Sequence, residues 1–192
     1  MTDLPFSCAC GQVKGVLHGV APGSGTNAIC HCRSCRAADL HCGAPDPGTQ
    51  GVGIYQTSPW RLKITEGADR LAVFSFGPKN LLRWQAGCCG ALLFNTPRNP
   101  RISFVGIRTS IFPETAPLGP VDGHAFIPTG NGKTRHEGTH RFVWGFAKRT
   151  LANLASGKWR RTPFFDTETG DPVARVDVLP EGTRDRLIAA AG

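Results

Sequence analysis

The sequence predicts an all-β protein built from antiparallel sheets, with a C-terminal extension carrying one or two short helices. Three observations support this. The 24 glycines and 15 prolines are scattered between short segments, as in chains where many turns join short strands. The middle third is a series of short apolar or alternating runs about ten residues apart, and no segment of helical period separates them, which favours antiparallel pairing over βαβ crossovers. The best helical pattern comes late, at residues 141–157. A chain of 192 residues is long enough for one substantial core and short for two. We therefore expect a β domain over residues 1–140 and a helical extension, residues 141–192, packed on it.

Taken in order, residues 12–20 alternate imperfectly around two glycines and read as a strand. Ala21-Pro22-Gly23-Ser24-Gly25 is a turn, and residues 42–53, with four glycines, two prolines and Asp46, read as an irregular loop able to rim a pocket. Residues 54–56, 61–65, 71–76, 81–84, 91–95 and 102–105 read as strands, separated by breakers such as Ser58-Pro59 and Gly77-Pro78. Residues 112–140 hold four prolines, five glycines and three histidines with little periodicity, and predict a long surface loop. In 141–157, Trp144, Ala147, Leu151 and Leu154 share a face, Lys148 and Arg149 take the other, and Gly157 suits the C′ position. A second helix is expected near residues 184–191, with Thr183 as N-cap or Pro180 in the first turn.

The segment 1–7 has neither a basic nor an apolar leader, and no apolar run approaches the roughly 18 to 20 residues that span a bilayer, so a cytoplasmic protein with no membrane contact is expected. In a reducing compartment, clustered thiols are metal ligands or catalytic groups rather than disulfides. Seven of the eight cysteines cluster: Cys8 and Cys10; Cys30, Cys32 and Cys35; Cys88 and Cys89. Cys32 and Cys35 form a C-x-x-C that can hold one ion, and Cys30, two residues upstream, returns to the same side. Three thiolates leave one tetrahedral position open, which distinguishes a reactive zinc from a closed structural one. Cys8 and Cys10, followed by Gly11, need partners from elsewhere, and Gly87-Cys88-Cys89-Gly90 is the evident donor. Adjacent cysteines on an extended chain point opposite ways, so one of that pair is expected at this ion and the other in a different environment.

The formal charge of +8 invites an anionic partner, but seven thiolates around two zinc ions would reduce it to about +5, so nucleic acid is not the expected partner. No paired carboxylates, phosphate-cradling glycine loop or G-x-S-x-G is present, which argues against glycosidase, P-loop and α/β-hydrolase chemistry.

The order C-x-C-G at Cys8 to Gly11, C-H-C-x-x-C at Cys30 to Cys35, and a late Cys89-Gly90 after a strand carrying Arg83 and Trp84 resembles the glutathione-dependent formaldehyde-activating enzyme family, over roughly residues 5 to 110. The resemblance implies a β-tent fold, a structural zinc on the outer cysteine pairs, and an open zinc on Cys30, Cys32 and Cys35 as the catalytic centre. It also implies a carbon–sulfur lyase-type activity, joining formaldehyde to the thiol of glutathione. Arg33 and Arg36 are then candidates for glutathione's carboxylates, with Lys63 and Arg83 beside them. One position departs: Ala86 stands where the family has the first cysteine of a C-x-x-C-G. Cys88 could substitute as ligand, the site could be three-coordinate, or a single zinc could sit among Cys30, Cys32, Cys35 and Cys88, so one or two zinc ions are expected.

The alternative reading is a non-catalytic, zinc-stabilised binding module whose basic segment Lys158-Trp159-Arg160-Arg161 contacts protein or nucleic acid. The extension could instead cap the pocket or form a homodimer. Cys42 reads as a small buried hydrophobe and His31 as a packed ring beside the ligands, with His124, His136 and His140 dispersed in the predicted loop.

Overall fold

Strand alternation in the middle of the chain divides its residues between two faces of one sheet, and that division positions everything else. The structure, a computed structural model, describes residues 1–191. β1 (Thr2–Ser7), β2 (Lys14–Val20) and β5 (Leu62–Glu66) form a three-stranded antiparallel sheet in the order β1-β2-β5. The larger sheet contains β3 (Thr26–Cys30), β4 (Val52–Thr57), β6 (Leu71–Ser75), β7 (Leu82–Ala86), β8 (Leu92–Thr96), β9 (Val105–Arg108), β10 (Gly123–Pro128), β11 (Thr134–Glu137) and β12 (Val176–Val178). Its order is β11-β10-β3-β4-β9-β8-β7-β6-β12. Three α-helices accompany the sheets among the described residues: α1 (Arg33–His41), α2 (Thr139–Ala155) and α3 (Thr183–Ala190). The protein is thus mostly β with helices concentrated towards its C-terminal end. Among the described residues no helix is long and apolar enough to cross a membrane.

On one face of the large sheet, Tyr55, Val73, Trp84, Phe94 and Ile107 pack against Leu4, Phe6, Val13 and Leu17 of the smaller sheet. Phe6 meets Phe94 edge-on at 5.5 Å between ring centroids, and the Trp84 indole donates to Thr96 Oγ1 at 3.0 Å, so its one polar atom is satisfied inside the core. The registers Arg83↔Asn95, Asn95↔Gly106, Gln56↔Gly106 and Ile54↔Arg108 place these residues together on the opposite face. There α1 covers the sheet, with Cys35 packing on Val52 and Ile54, and Ala38 on Phe74 and Leu92.

The structure departs from the sequence reading in several places. Residues 112–140 are not one loop, because β10 and β11 form a hairpin there, and the last strand of the middle third lies at Val105–Arg108 rather than at 102–105. Pairing is not wholly antiparallel: β10 runs parallel to β3, and β12 parallel to β6, each a late strand added beside an earlier one. β1 and α1 carry periodic signals too short to register, six and nine residues long. α3 is capped by the left-handed Gly182 and not by Thr183, which opens the helix.

The orientation of α2 is the largest difference. Trp144 is 73% exposed and Leu151 66%, so the expected apolar face points to solvent. The helix docks instead through Phe146, whose ring meets Phe104 at 5.6 Å, and through the buried Asn153. Asn153 accepts from Trp60 Nε1 at 3.0 Å and donates to Ser58 and Ser103 at 2.8 and 3.1 Å, so a polar network outweighs the apolar stripe in fixing the helix.

Chain beyond residue 140 also enters the main core: Phe164 is fully buried, 5.0 Å from Trp84 and 5.4 Å from Phe94. Phe164→Ala is expected to cost about 3 to 5 kcal/mol in chemical denaturation. Trp144→Ala should stay within about 0.5 kcal/mol of the parent, as for an exposed side chain outside any core.

Candidate metal centre

Two cysteine groups assemble from the predicted ligands. In the first, Cys8, Cys10, Cys88 and Cys89 place their Sγ atoms within 4.8 Å of one another. The separations are 3.5 Å for Cys8–Cys10, 3.8 Å for Cys8–Cys88 and 3.3 Å for Cys10–Cys88. Sulfurs about 2.3 Å from a tetrahedral ion lie about 3.8 Å apart, so this set fits a four-coordinate zinc-type centre.

Two tight turns make it. After β1, the Gly11 amide donates to Cys8 O at 3.0 Å with Gly11 at φ 74°, a conformation open to glycine. After β7, the amides of Cys89 and Gly90 donate to Ala86 O at 3.2 and 2.7 Å. Because residues 87–89 turn instead of extending, Cys88 and Cys89 fall on the same side, against the expectation that they would diverge. Ala86, in place of a ligand, supplies the carbonyl that closes this turn.

Val13 N–H donates to Cys8 Sγ at 3.3 Å. Burial opposes ionisation of Cys8, but this amide and the neighbouring thiols outweigh it and bring the group down to about 6. Cys88 is pushed up to about 12, chiefly by Cys10, then by burial and Cys8. Ionised Cys8 and its neighbours thus oppose a second charge on Cys88, and a dication would relieve that conflict.

The second group is Cys30, Cys32 and Cys35, again with Sγ atoms within 4.8 Å of one another. Cys30 ends β3, and Cys32 is the N-cap of α1, its Sγ accepting from the Cys35 amide at 3.3 Å. Cys35 is buried one turn into the helix, so strand end, cap and first turn bring three sulfurs to one point. Arg83 Nη1 donates to Cys35 Sγ at 3.6 Å, and Arg108 Nη2 to Cys35 O at 3.3 Å and Asp39 Oδ1 at 2.9 Å.

Arg83 and Arg108 are each only 3% exposed, and Asp39 offsets just one of these charges. Since an unpaired buried ion costs several kcal/mol, the second guanidinium requires a thiolate. Cys35 accordingly lies well below the ordinary thiol range, held there by hydrogen bonds from Cys30 and Cys32 and by the arginine charges, against burial. Cys30 is pushed up, first by Cys32, then by Cys35 and burial. Soft thiolate donors at this spacing fit a metal ion and leave one tetrahedral position without a protein sulfur.

A cavity of about 530 Å³ opens beside these three cysteines, bordered by Gln56, Arg83 and Asn95 on its polar side. Sequence reasoning singled out Arg83 and missed Gln56 and Asn95, since only strand register brings residues 56, 83 and 95 to one spot. Arg33 and Arg36 are not brought to the cavity. α1 turns its Cys35 and Ala38 side to the sheet, which leaves Arg33 paired with Asp185 at 3.3 Å and Arg36 with Asp46. Lys63 lies on β5 in the other sheet, bordering a different depression.

His31 turns from the sulfurs and stacks on His124, their Nε2 and Nδ1 atoms 3.0 Å apart. Among the described residues no histidine joins either cysteine group. Cys42 is half-buried, donates to Gln85 Oε1 at 3.1 Å, and is pushed up to about 12 chiefly by burial.

Elemental analysis is expected to give two metal ions per chain. Cys30→Ser, which leaves the Cys35 thiolate beside Arg83, should bind one and keep its fold, whereas Cys10→Ser should lose the other ion and shift thermal unfolding down by more than about 10 °C. A parent chain that binds a single ion would overturn the two-centre assignment.

No curated protein matches the chain at significance. Among solved structures, it is similar to a Rhodobacter sphaeroides protein known from its crystal structure, at 21% identity over 62% of this chain and 97% of that one, with a TM-score of 0.44. Residues 1–177 match the family of unknown function DUF6151, and the chain therefore belongs to that family.

Proposed function

We propose that the protein is a zinc-dependent, carbon–sulfur lyase-type enzyme that joins a thiol to a small aldehyde, in the manner of the glutathione-dependent formaldehyde-activating family and with the β-tent arrangement that resemblance implies. The observation that supports this reading is the meeting of Cys30, Cys32 and Cys35 at the border of a substrate-sized cavity, with the buried Arg83 behind Cys35. A zinc ion held there would supply a Lewis-acidic position at which a substrate thiol is ionised at neutral pH. The four-cysteine centre would be structural, and the cytoplasm, where thiols stay reduced, is the compartment that suits both.

The chain's own residues account for the rest. Arg83 and Arg108 keep Cys35 ionised, and the helix N-terminus at Cys32 adds partial positive charge beside the sulfurs. Gln56 is buried, and among the described residues its Oε1 has no hydrogen-bond partner, which is unusual for a buried polar atom and suits a ligand hydroxyl or amide. Joining the two substrates forms one sulfur–carbon bond. The carbonyl π pair moves to oxygen, and the thiol's proton ends on that oxygen as a hydroxyl. Gln56 and Asn95 border the space in which the hydroxyl would form, and hold it by hydrogen bonds.

Nuclear magnetic resonance of isotope-labelled formaldehyde mixed with thiol and enzyme measures the hydroxymethyl product directly. Cys35→Ser is expected to abolish acceleration, and Gln56→Leu to lower kcat about a hundredfold with metal content unchanged. Full acceleration in Cys35→Ser would sink the reading. In the alternative, non-catalytic module, Lys158 and Arg160 would meet an outside anion. They lie over the Trp60 and Trp159 rings at 4.4 and 4.6 Å, which favours a role in anchoring the extension.

A further inference from the structure

The cavity beside Cys30, Cys32 and Cys35 limits which thiol it can admit. Its wall is apolar and comes from separate segments: Phe76 after β6, Leu81 before β7, Phe104 before β9, Phe126 on β10 and Phe142 on α2. All five keep part of their surface uncovered, with Leu81 at 40% and Phe126 at 43% exposure. Isolated exposed apolar side chains need no explanation, but five bordering one cavity give it a largely apolar lining.

Phe126 adds a second observation. It sits at φ 59°, a left-handed conformation that is costly for an aromatic residue. Its amide donates to His136 Nδ1 at 3.2 Å, and its ring meets the His136 ring at 4.8 Å. Backbone conformations of this kind are concentrated at ligand sites, and here the result is a phenyl ring bordering the cavity.

Charge narrows the choice further. Among the described residues no aspartate or glutamate borders the cavity. Of its cations, Arg83 is committed to Cys35, and Arg184 shares Asp185 at 3.4 Å. Lys79 is exposed and has no carboxylate within salt-bridge distance among the described residues. Glutathione brings two carboxylates and an ammonium group. Its ammonium would find no counter-charge in the cavity, and only one of its carboxylates an unshared cation.

We infer that the thiol substrate is a compact apolar thiol, aromatic in its body and carrying a single carboxylate, and not glutathione. Its sulfur lies at Cys30, Cys32 and Cys35, its ring among the phenylalanines, and its carboxylate at Lys79. This rests on the proposed metal-held thiol, and it replaces the co-substrate that the family resemblance implies.

The test uses the full chain loaded with cobalt(II), titrated with para-(mercaptomethyl)benzoate, benzyl mercaptan and glutathione. The readout is the sulfur-to-cobalt charge-transfer absorption, in which a gain reports an added thiolate and a loss reports extraction, counted as no binding. The benzoate thiol is expected to bind at least about tenfold tighter than glutathione. Lys79→Ala, an exposed position that should not affect folding, is expected to weaken the benzoate thiol about tenfold and leave benzyl mercaptan unchanged. Glutathione binding as tightly as the benzoate thiol, or Lys79→Ala weakening both aromatic thiols equally, would overturn the inference and leave the enzyme reading standing. If no thiol adds to the cobalt spectrum, the enzyme reading fails as well.

Discussion

The contact on which the site depends is that of the Arg83 guanidinium with the Cys35 sulfur, both buried and 3.6 Å apart. A guanidinium cannot lose its proton in a protein, so its burial requires negative charge within reach. Arg108, on the same face, has Asp39 at 2.9 Å, whereas Arg83 has no carboxylate within salt-bridge distance among the described residues and meets the sulfurs first. Burial by itself would lower Arg83's proton affinity, yet that affinity is raised, because the Cys35 thiolate outweighs desolvation. α1 therefore has to lie across the sheet with Cys35 inward, and the strand before it has to end at Cys30. The requirement for a thiolate couples the fold of residues 26–41 to the chemistry they can support.

The two faces of the large sheet show how one set of strands serves both core and site. Trp84 faces the core while its neighbour Arg83 faces α1, and Phe94 and Asn95 divide in the same way. Gly106 keeps the site face open at this level, since a Cβ there would come within 2.5 Å of Asn95 Oδ1 and 3.0 Å of Ile54. An alanine at 106 would have to displace the buried carboxamide beside Gln56, so a residue far in sequence from any cysteine helps set the cavity's polar side.

How much of this was legible in the sequence follows from the range of the interactions. The strands of the middle third were legible because breakers bound them and alternation is local. So was the gathering of seven cysteines into groups that could hold an ion, because closely spaced thiols have few other uses in a reducing compartment. Their division into four and three was not, because it depends on whether residues 87–90 extend or turn, and that is decided by the Ala86 carbonyl and by packing. The orientation of α2 was misjudged for a similar reason. Periodicity finds an apolar stripe, but the docking is set by Asn153 bonding to Trp60, Ser58 and Ser103, residues about fifty to ninety-five positions away in sequence. Gln56, Asn95 and the phenylalanine lining belong to the same class, scattered in sequence and joined only by register.

The two cysteine groups differ in a way that their local chemistry alone does not require. The four-sulfur group joins the turn after β1 to the turn after β7, so any ion there ties the small sheet to the large one across nearly eighty residues. Such a crosslink restricts the unfolded chain most when it closes a long loop. The three-sulfur group draws its ligands from residues 30–35 and closes almost no loop, so an ion there adds little to chain restriction. Yet that is the group with two buried arginines behind it. Buried charge is costly and contributes nothing to tying sheets together, so its concentration at the short-loop group, and not at the crosslinking one, is what favours the proposal of chemistry at the first and stability at the second.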